Sequence, residues 1–529
     1  MGLYKKHFGL SGNALLACLT MVNGLTMGWF GYDQGVFSGV LISSDFKHHF
    51  PETNDANISG ITSSCFSLGA FVGCLVAFAF GDKLGRRRTI MIGSACNTVG
   101  AVLQIAAFHL PMMIIGRIIN GFGMGMTSST CPVYQAECTK AKYRGRLVVV
   151  GSLSNTFAYM LANWMNYGLY FSSGPLQWRF PLAFQLFFPI ISVPILCFLP
   201  ESPRWLLNKG RTEDGLSTIA LLWGKNLEIT NETVQDEYLS IMDAIDQERA
   251  DKVPFKDVVR FRDKSQNMRR IFLGMGTQFM QQFTGVNALG YYLPTILTEQ
   301  LGFSEAMAKL LSACNATSYL GSAFVCLIII DLVGRRRMMI YGSVGCCITY
   351  IVAAASVKVA ETKLTYEMGA LTVSMFFLYY VIYGTSYAKV PWVYSSEINS
   401  IGWRTRGAAA ATATNWICGF CITQYTKKAV NNLGWGFYLL FAFIVLCYVP
   451  VVFCLYPETS RRSLEDLDYM FTQYPSPFVF RHKALTQRER PEEFIVAEKE
   501  RILRGENLNR KLDNDSDRKS ATITHVERV

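Results

Sequence analysis

Charge is what this chain has least of. Asp, Glu, Lys and Arg supply 17% of its 529 residues against 50% hydrophobic residues, and the mean hydropathy is +0.22. That is too apolar for an ordinary soluble protein, and the length is too great for a single core. Histidine occurs six times and never deep in an apolar stretch, so imidazole is excluded as an interior proton carrier. Cysteine occurs fifteen times but is missing from every predicted outer loop, which argues against a disulfide framework. Cys418 and Cys421 have the spacing of a metal or redox pair, yet they lie inside one apolar helix without a second pair and read as small packing residues. No full set of metal ligands is spaced for binding, and no nucleophile, base and orienting group fall together. Neither an enzyme nor a cofactor is expected. No cleavable signal peptide is expected, because the first apolar stretch carries Asp33 and is long enough to span a membrane.

What the chain does have is apolar runs. Crossing roughly 30 Å of hydrocarbon takes about 20 helical residues, and twelve such runs can be placed, six on each side of a charged middle. The expected organisation is a six-helix bundle over 1–199, linker helices over 200–268, a second six-helix bundle over 269–459 and a tail over 460–529 that holds a short helix from Leu464 to Met470 and is otherwise largely disordered. The net charge of +11 comes largely from the loops after the second, fourth, eighth and tenth runs, with Lys83, Arg88, Lys140 and Arg337 among the residues there. The positive-inside rule then puts both termini and the linker in the cytoplasm, and nucleic acid is excluded as a partner. Asn57-Ile58-Ser59 falls in the first outer loop, where Asn57 is a candidate glycan acceptor.

One phrase occurs twice. Asp82-Lys83-Leu84-Gly85-Arg86-Arg87-Arg88 returns 249 residues later as Asp331-Leu332-Val333-Gly334-Arg335-Arg336-Arg337. Glu137 and Arg144 return 260 residues on as Glu397 and Arg404, and Pro200-Glu201-Ser202 returns as Pro457-Glu458-Thr459. Ordered echoes at nearly constant offset indicate a duplicated half. Asp82, Arg86, Arg87, Glu137, Arg144, Glu201 and Arg204 in one copy, and Asp331, Arg335, Arg336, Glu397 and Arg404 in the other, can bridge as a cytoplasmic latch on each half.

A carboxylate inside a membrane costs about 2.5 to 3.5 kcal/mol on insertion scales, so Asp33 requires a reason. It lies about 13 Å from the outer end of its helix and Arg117 about 9 Å from the end of its own, depths at which they can pair. A static ion pair and a proton-coupling pair are both open readings. Gln281, Gln282 and Asn287 lie close to the midplane of the seventh run with Gly285 between them and Tyr291-Tyr292 after them. Hydrogen bonds between helices are one open reading of these amides. The other is ligand contact, since amides that donate and accept beside aromatic faces suit a neutral polyhydroxylated ligand, and Tyr292, Trp392, Asn415 and Trp416 add the same chemistry.

With two Asp-x-x-Gly-Arg-Arg phrases, Gly116-Arg117, Pro200-Glu201-Ser202-Pro203-Arg204, Gln281-Gln282-x-x-Gly285-x-Asn287 and Pro457-Glu458-Thr459, residues 20–470 resemble the sugar porters of the major facilitator superfamily. Gly31-Tyr32-Asp33-Gln34-Gly35 and Gln177-Trp178-Arg179-Phe180-Pro181 look most like fungal members, glycerol/proton symporters among them. The resemblance implies an all-α membrane protein of twelve transmembrane helices in two bundles, alternating access, and no cofactor. It implies proton-coupled uptake of a hexose or pentose at the plasma membrane by a chain that functions as a monomer. A polyol or sugar-acid transporter and a non-transporting sensor are the alternatives. Gln281, Gln282, Asn287, Trp392, Asn415 and Trp416 would then contact the sugar, and Asp33 and Arg117 would handle the proton. Two positions depart from the family pattern. Ser152 stands where span five usually carries a Gln, and Lys389 replaces a residue of the family's Gly-Pro-x-x-Trp phrase, adding a cation near the midplane.

Overall fold

The computed structural model describes residues 10–224, 227–250, 257–258, 260, 263, 265–362, 366–462 and 464–496. Twelve membrane-spanning helices form two six-helix bundles. The first bundle holds Asn13–Val40, Ala56–Leu84, Arg86–Ile105, Leu110–Glu137, Ala141–Gly168 and a sixth span in two pieces, Leu176–Phe184 and Phe187–Phe198. The second holds Asn267–Phe283 with Val286–Glu299, then Glu305–Val333, Arg335–Thr362, Tyr366–Thr385 with Val390–Glu397, Arg404–Leu433 and Gly436–Leu455. Seven of the spans are long and apolar enough to be recognised on composition alone. The others include the fourth and the eleventh, which carry Arg117, Asn120, Asn415 and Lys427 on buried faces, and the seventh, which is split.

The duplicated phrase has a backbone reason. Gly85 ends one span and opens the next at φ 92°, and Gly334 does the same at φ 94°. A Cβ on Gly85 would lie 2.6 Å from the Glu201 carboxylate, and one on Gly334 would lie 2.5 Å from that of Glu458. Glycine therefore supplies both the left-handed turn and the room for a carboxylate to reach the first amides of the following helix. Glu201 accepts from the amides of Arg86 at 2.9 Å and Arg87 at 3.2 Å, and Glu458 accepts from those of Arg335 at 2.9 Å and Arg336 at 3.2 Å. In each half, an acidic residue placed after the sixth span caps the third span of that half.

The halves join at the end away from these basic loops. Ser64 donates to Gln424 at 2.6 Å, Trp164 donates to Thr317 at 2.9 Å, and the Lys309 ammonium lies 5.5 Å from the Tyr170 ring centroid. Asn57 sits there too, exposed in the first turn of its helix, while Ser59 of the same tripeptide is buried. Among the described residues, the bundles' ion pairs at the basic end stay within one half each. The linker forms Pro203–Asn208, Thr212–Trp223 and Glu232–Ala250, the short amphipathic helices its pattern suggests.

The short helix expected at the start of the tail is present as Leu464–Gln473, and the chain onward to residue 496 packs on the second bundle. Buried Arg270 pairs with Asp468, Arg490 pairs with buried Asp466 at 2.6 Å, and Phe494 is 1% exposed. Residues 497–529 lie outside the described part. We expect truncation after residue 462 to lower the melting temperature of the purified protein, because it leaves the Arg270 guanidinium buried without its carboxylate. Truncation after residue 496 should leave melting unchanged, and an equal loss from both would overturn the assignment.

Candidate transport site

Span one passes against span five so closely that a Cβ on Gly31 would lie 1.8 Å from the Asn155 carbonyl oxygen. That approach holds Asp33 in the interior of the first bundle. Asp33 and Arg117 are both fully buried, with carboxylate and guanidinium 3.8 Å apart. The separation is an ion pair beyond hydrogen-bond reach. Asn120, one turn after Arg117, donates to Asp33 Oδ1 at 3.3 Å and to Gln185 Oε1 at 3.0 Å. Arg117 also donates to the Ser63 carbonyl at 3.3 Å, and its guanidinium lies 3.8 Å from the Phe37 ring centroid and 5.5 Å from that of Phe66. Cation–π attraction and one neutral acceptor thus supplement the carboxylate.

The amides gather in the second bundle. Span seven breaks at Thr284-Gly285, with Gly285 at φ 90°, and the hydroxyls of Tyr350 and Tyr379 donate to the freed Thr284 carbonyl at 2.8 and 2.9 Å. Asn415 donates to Gln278 and to Gln281, each at 2.7 Å, and Gln281 donates to the carbonyls of Tyr387 at 2.9 Å and Ala388 at 3.2 Å. Gln278, Gln281 and Gln282 share one helix face because three and four residues make about one turn. Asn287 donates to Gln282 at 2.7 Å and accepts from Gln34 at 2.8 Å. Gln34 follows Asp33 in span one, so this last bond crosses from one bundle to the other.

Trp416 is 4% exposed and joins the halves as well. Its ring lies 5.0 Å from Phe30 and 6.1 Å from Phe66, the ring that also faces Arg117. Tyr292 is buried, and its hydroxyl donates to Thr423 O at 3.3 Å and Ser59 O at 3.5 Å, a tie between helices. Trp392 stands apart from the other expected ligand-contact residues. It is 36% exposed, and among the described residues no hydrogen bond or ring contact joins it to the amides. Gln34, Gln278, Asn120 and Gln185 were not singled out from sequence, although each is an amide within an apolar run and that is a readable signal.

The same ion-pair arrangement forms in each half. Arg86 pairs with Asp82 at 2.7 Å and Glu137 at 3.1 Å; Arg335 pairs with Asp331 at 2.6 Å and Glu397 at 2.9 Å. Asp82 and Asp331 are mostly exposed, so those two contacts contribute little. Burial pushes the Glu201 carboxyl above its ordinary value, opposed by the amides of Ser202, Arg87 and Arg86. Arg87 and Arg336 depart from the expected carboxylate bridging, since their guanidinia donate to the Leu199 and Phe453 carbonyls at 3.0 and 2.8 Å. Arg404 donates to Ser396 O at 3.2 Å, Arg204 is half-buried, and the Arg144 side chain lies outside the described residues.

A family model for sugar (and other) transporters matches residues 17–471. The chain belongs to that family. This transporter is 38% identical over 504 residues to the MFS-type transporter oryC of Aspergillus oryzae, covering 94% of this chain and 93% of that one. It is 33% identical to the sugar transporter STL1 of Saccharomyces cerevisiae over 88% of this chain and 83% of that one. Among solved structures, the proton:xylose symporter XylE bound to 6-bromo-6-deoxy-D-glucose aligns with a TM-score of 0.72 at 22% identity, over 87% of the transporter and 100% of XylE. That likeness establishes the two-bundle major facilitator fold. The family moves solutes across membranes and is not an enzyme class.

Proposed function

We propose that the transporter takes up a small polyhydroxylated solute of monosaccharide size, a hexose or pentose in the simplest case, together with a proton. It works by alternating access in the plasma membrane, with the basic loops and both termini in the cytoplasm. The observation that carries this reading is the Gln34 to Asn287 hydrogen bond, 2.8 Å long and crossing between the halves. It ties the residue beside the buried Asp33–Arg117 pair to the amide pair Asn287 and Gln282. A solute that takes over the amide of Asn287 releases Gln34, and span one is then free to respond at Asp33. Reciprocity follows from linkage: if solute binding changes the affinity of Asp33 for a proton, protonation changes the affinity for solute by the same factor. The similar proteins named above, a sugar transporter and a proton:xylose symporter, agree with the reading.

Uptake of labelled glucose, xylose, galactose, glycerol and a sugar acid by a transporter-deficient cell, with external pH recorded, tests it. One member of the panel should accumulate and the medium should turn alkaline in step with it. Equilibration to a ratio of one without alkalinisation leaves a facilitator, and failure of every solute to move leaves a binding protein that senses without transporting.

A further inference from the structure

The two departures from the family pattern meet at one point. Lys389 donates to the carbonyl of Ser152 at 3.0 Å and to the Thr156 hydroxyl at 3.2 Å, across the interface between the halves. Ser152 is the span-five position where an amide is usual in the family, and the cation from span ten now occupies its surroundings. Lys389 is 8% exposed, so it does not reach out to water. Among the described residues no carboxylate pairs with it. Other buried lysines have one: Lys309 pairs with Glu305 at 2.8 Å and Lys427 with Glu299 at 3.8 Å. A buried ammonium held only by neutral acceptors is costly, and it retains a third N–H donor after the two bonds to span five.

Two further features bear on that positive charge. Gln281 donates to the carbonyls of Tyr387 and Ala388, so the backbone leading into Lys389 touches the amide cluster while its ammonium reaches span five. The half-helix Val390–Glu397 begins directly after Lys389, and its dipole adds partial positive charge at that end. Discontinuous helices of this kind meet anionic groups of substrates at the membrane midplane in other transporters.

We infer that the solute carries a carboxylate: Lys389 binds its acid group, while Gln281, Gln282, Asn287 and Asn415 bind its hydroxyls. This rests on the transport reading above and narrows its substrate to hydroxylated acids of monosaccharide size. The consequence is electrical. One proton carried with one carboxylate moves no net charge, whereas one proton with a neutral sugar moves one positive charge.

The test uses the full-length protein in liposomes, with D-galacturonate and D-gluconate set against their neutral parents D-galactose and D-glucose. Wild type should prefer one acid over its parent by at least about tenfold, and that proton-driven uptake should not change when a potassium–valinomycin potential is imposed. Lys389→Met, close in volume, should erase the preference, and Lys389→Arg should keep much of it. Equal or better use of the neutral parents by wild type overturns the inference and leaves proton-coupled transport standing, as does a potential-driven acceleration of acid uptake. A Lys389→Met variant that lowers acid and parent by one factor also overturns it, because that is the mark of a structural tether. Failure to move any of the four solutes sinks the transport reading itself.

Discussion

Asp33→Asn is expected to abolish accumulation while sparing exchange. Asparagine matches aspartate in shape and can still accept from Asn120, but it can neither bind nor release a proton. A pH gradient of one unit is worth about 1.4 kcal/mol, or tenfold in concentration ratio, to a transporter that moves one proton with each solute. In the variant the ratio should fall to one, whatever the gradient. Counterflow of labelled for unlabelled solute across equal pH on both sides requires no net proton movement and should persist. Loss of pH-driven uptake together with surviving counterflow supports the coupling role, and surviving pH-driven accumulation removes it. Stability must be followed alongside, because the substitution leaves Arg117 fully buried with no carboxylate at 3.8 Å. Breaking a buried pair from one side costs about 3 to 5 kcal/mol in general. Here the Ser63 carbonyl and the faces of Phe37 and Phe66 remain, so the loss should fall at or below the lower end of that range. The double variant Asp33→Asn with Arg117→Gln removes the stranded cation. It should recover melting temperature without recovering accumulation, which separates folding from coupling.

The spans were legible because a membrane forces about 20 apolar residues into one helix, and the duplication because the Gly-Arg-Arg phrase repeats letter for letter. The role of that glycine was not, since nothing in the phrase says that Glu201 or Glu458, more than a hundred residues on, returns to cap the helix it opens. Pairings across the two bundles were hidden for the same reason. Helical spacing tells which residues share a face, as it does for Gln278, Gln281 and Gln282, but not which span that face meets. Lys389 stood out as unexplained and Ser152 as a missing amide, yet only the fold brings them within 3.0 Å. Gln34 was passed over although an amide in an apolar helix calls for a partner, and the partner proved to be Asn287 in the other half. In the tail, charge is only part of the signal. Disordered segments are poor in aromatics, whereas Phe471, Tyr474, Phe478, Phe480 and Phe494 fall within the stretch that packs on the second bundle.

Glu458→Ala should be the most destabilising single change at the basic end, and more so than its counterpart Glu201→Ala. Glu458 is 1% exposed and accepts from four backbone amides, those of Arg335, Arg336, Thr459 and Ser460, at 2.9 to 3.2 Å. Glu201 is half-buried and accepts from three, those of Arg86, Arg87 and Ser202. A buried amide left without an acceptor costs about 1 to 3 kcal/mol, and water can replace the acceptor more readily at the more exposed copy. A loss on the order of 3 to 5 kcal/mol is expected for Glu458→Ala and roughly half that for Glu201→Ala, read as denaturation midpoints in detergent. Glu458→Gln keeps an acceptor oxygen without the charge and should fall between Glu458→Ala and wild type. Equal losses from the two alanine variants would mean that the halves are equivalent in stability as well as in sequence. Unequal losses in the stated order would locate the firmer latch in the half that carries the amides. Amide exchange at Arg335 and Arg336 should then accelerate in Glu458→Ala while exchange at Arg86 and Arg87 stays at its wild-type rate, because no ion pair among the described bundle residues at the basic end links one half's latch to the other's.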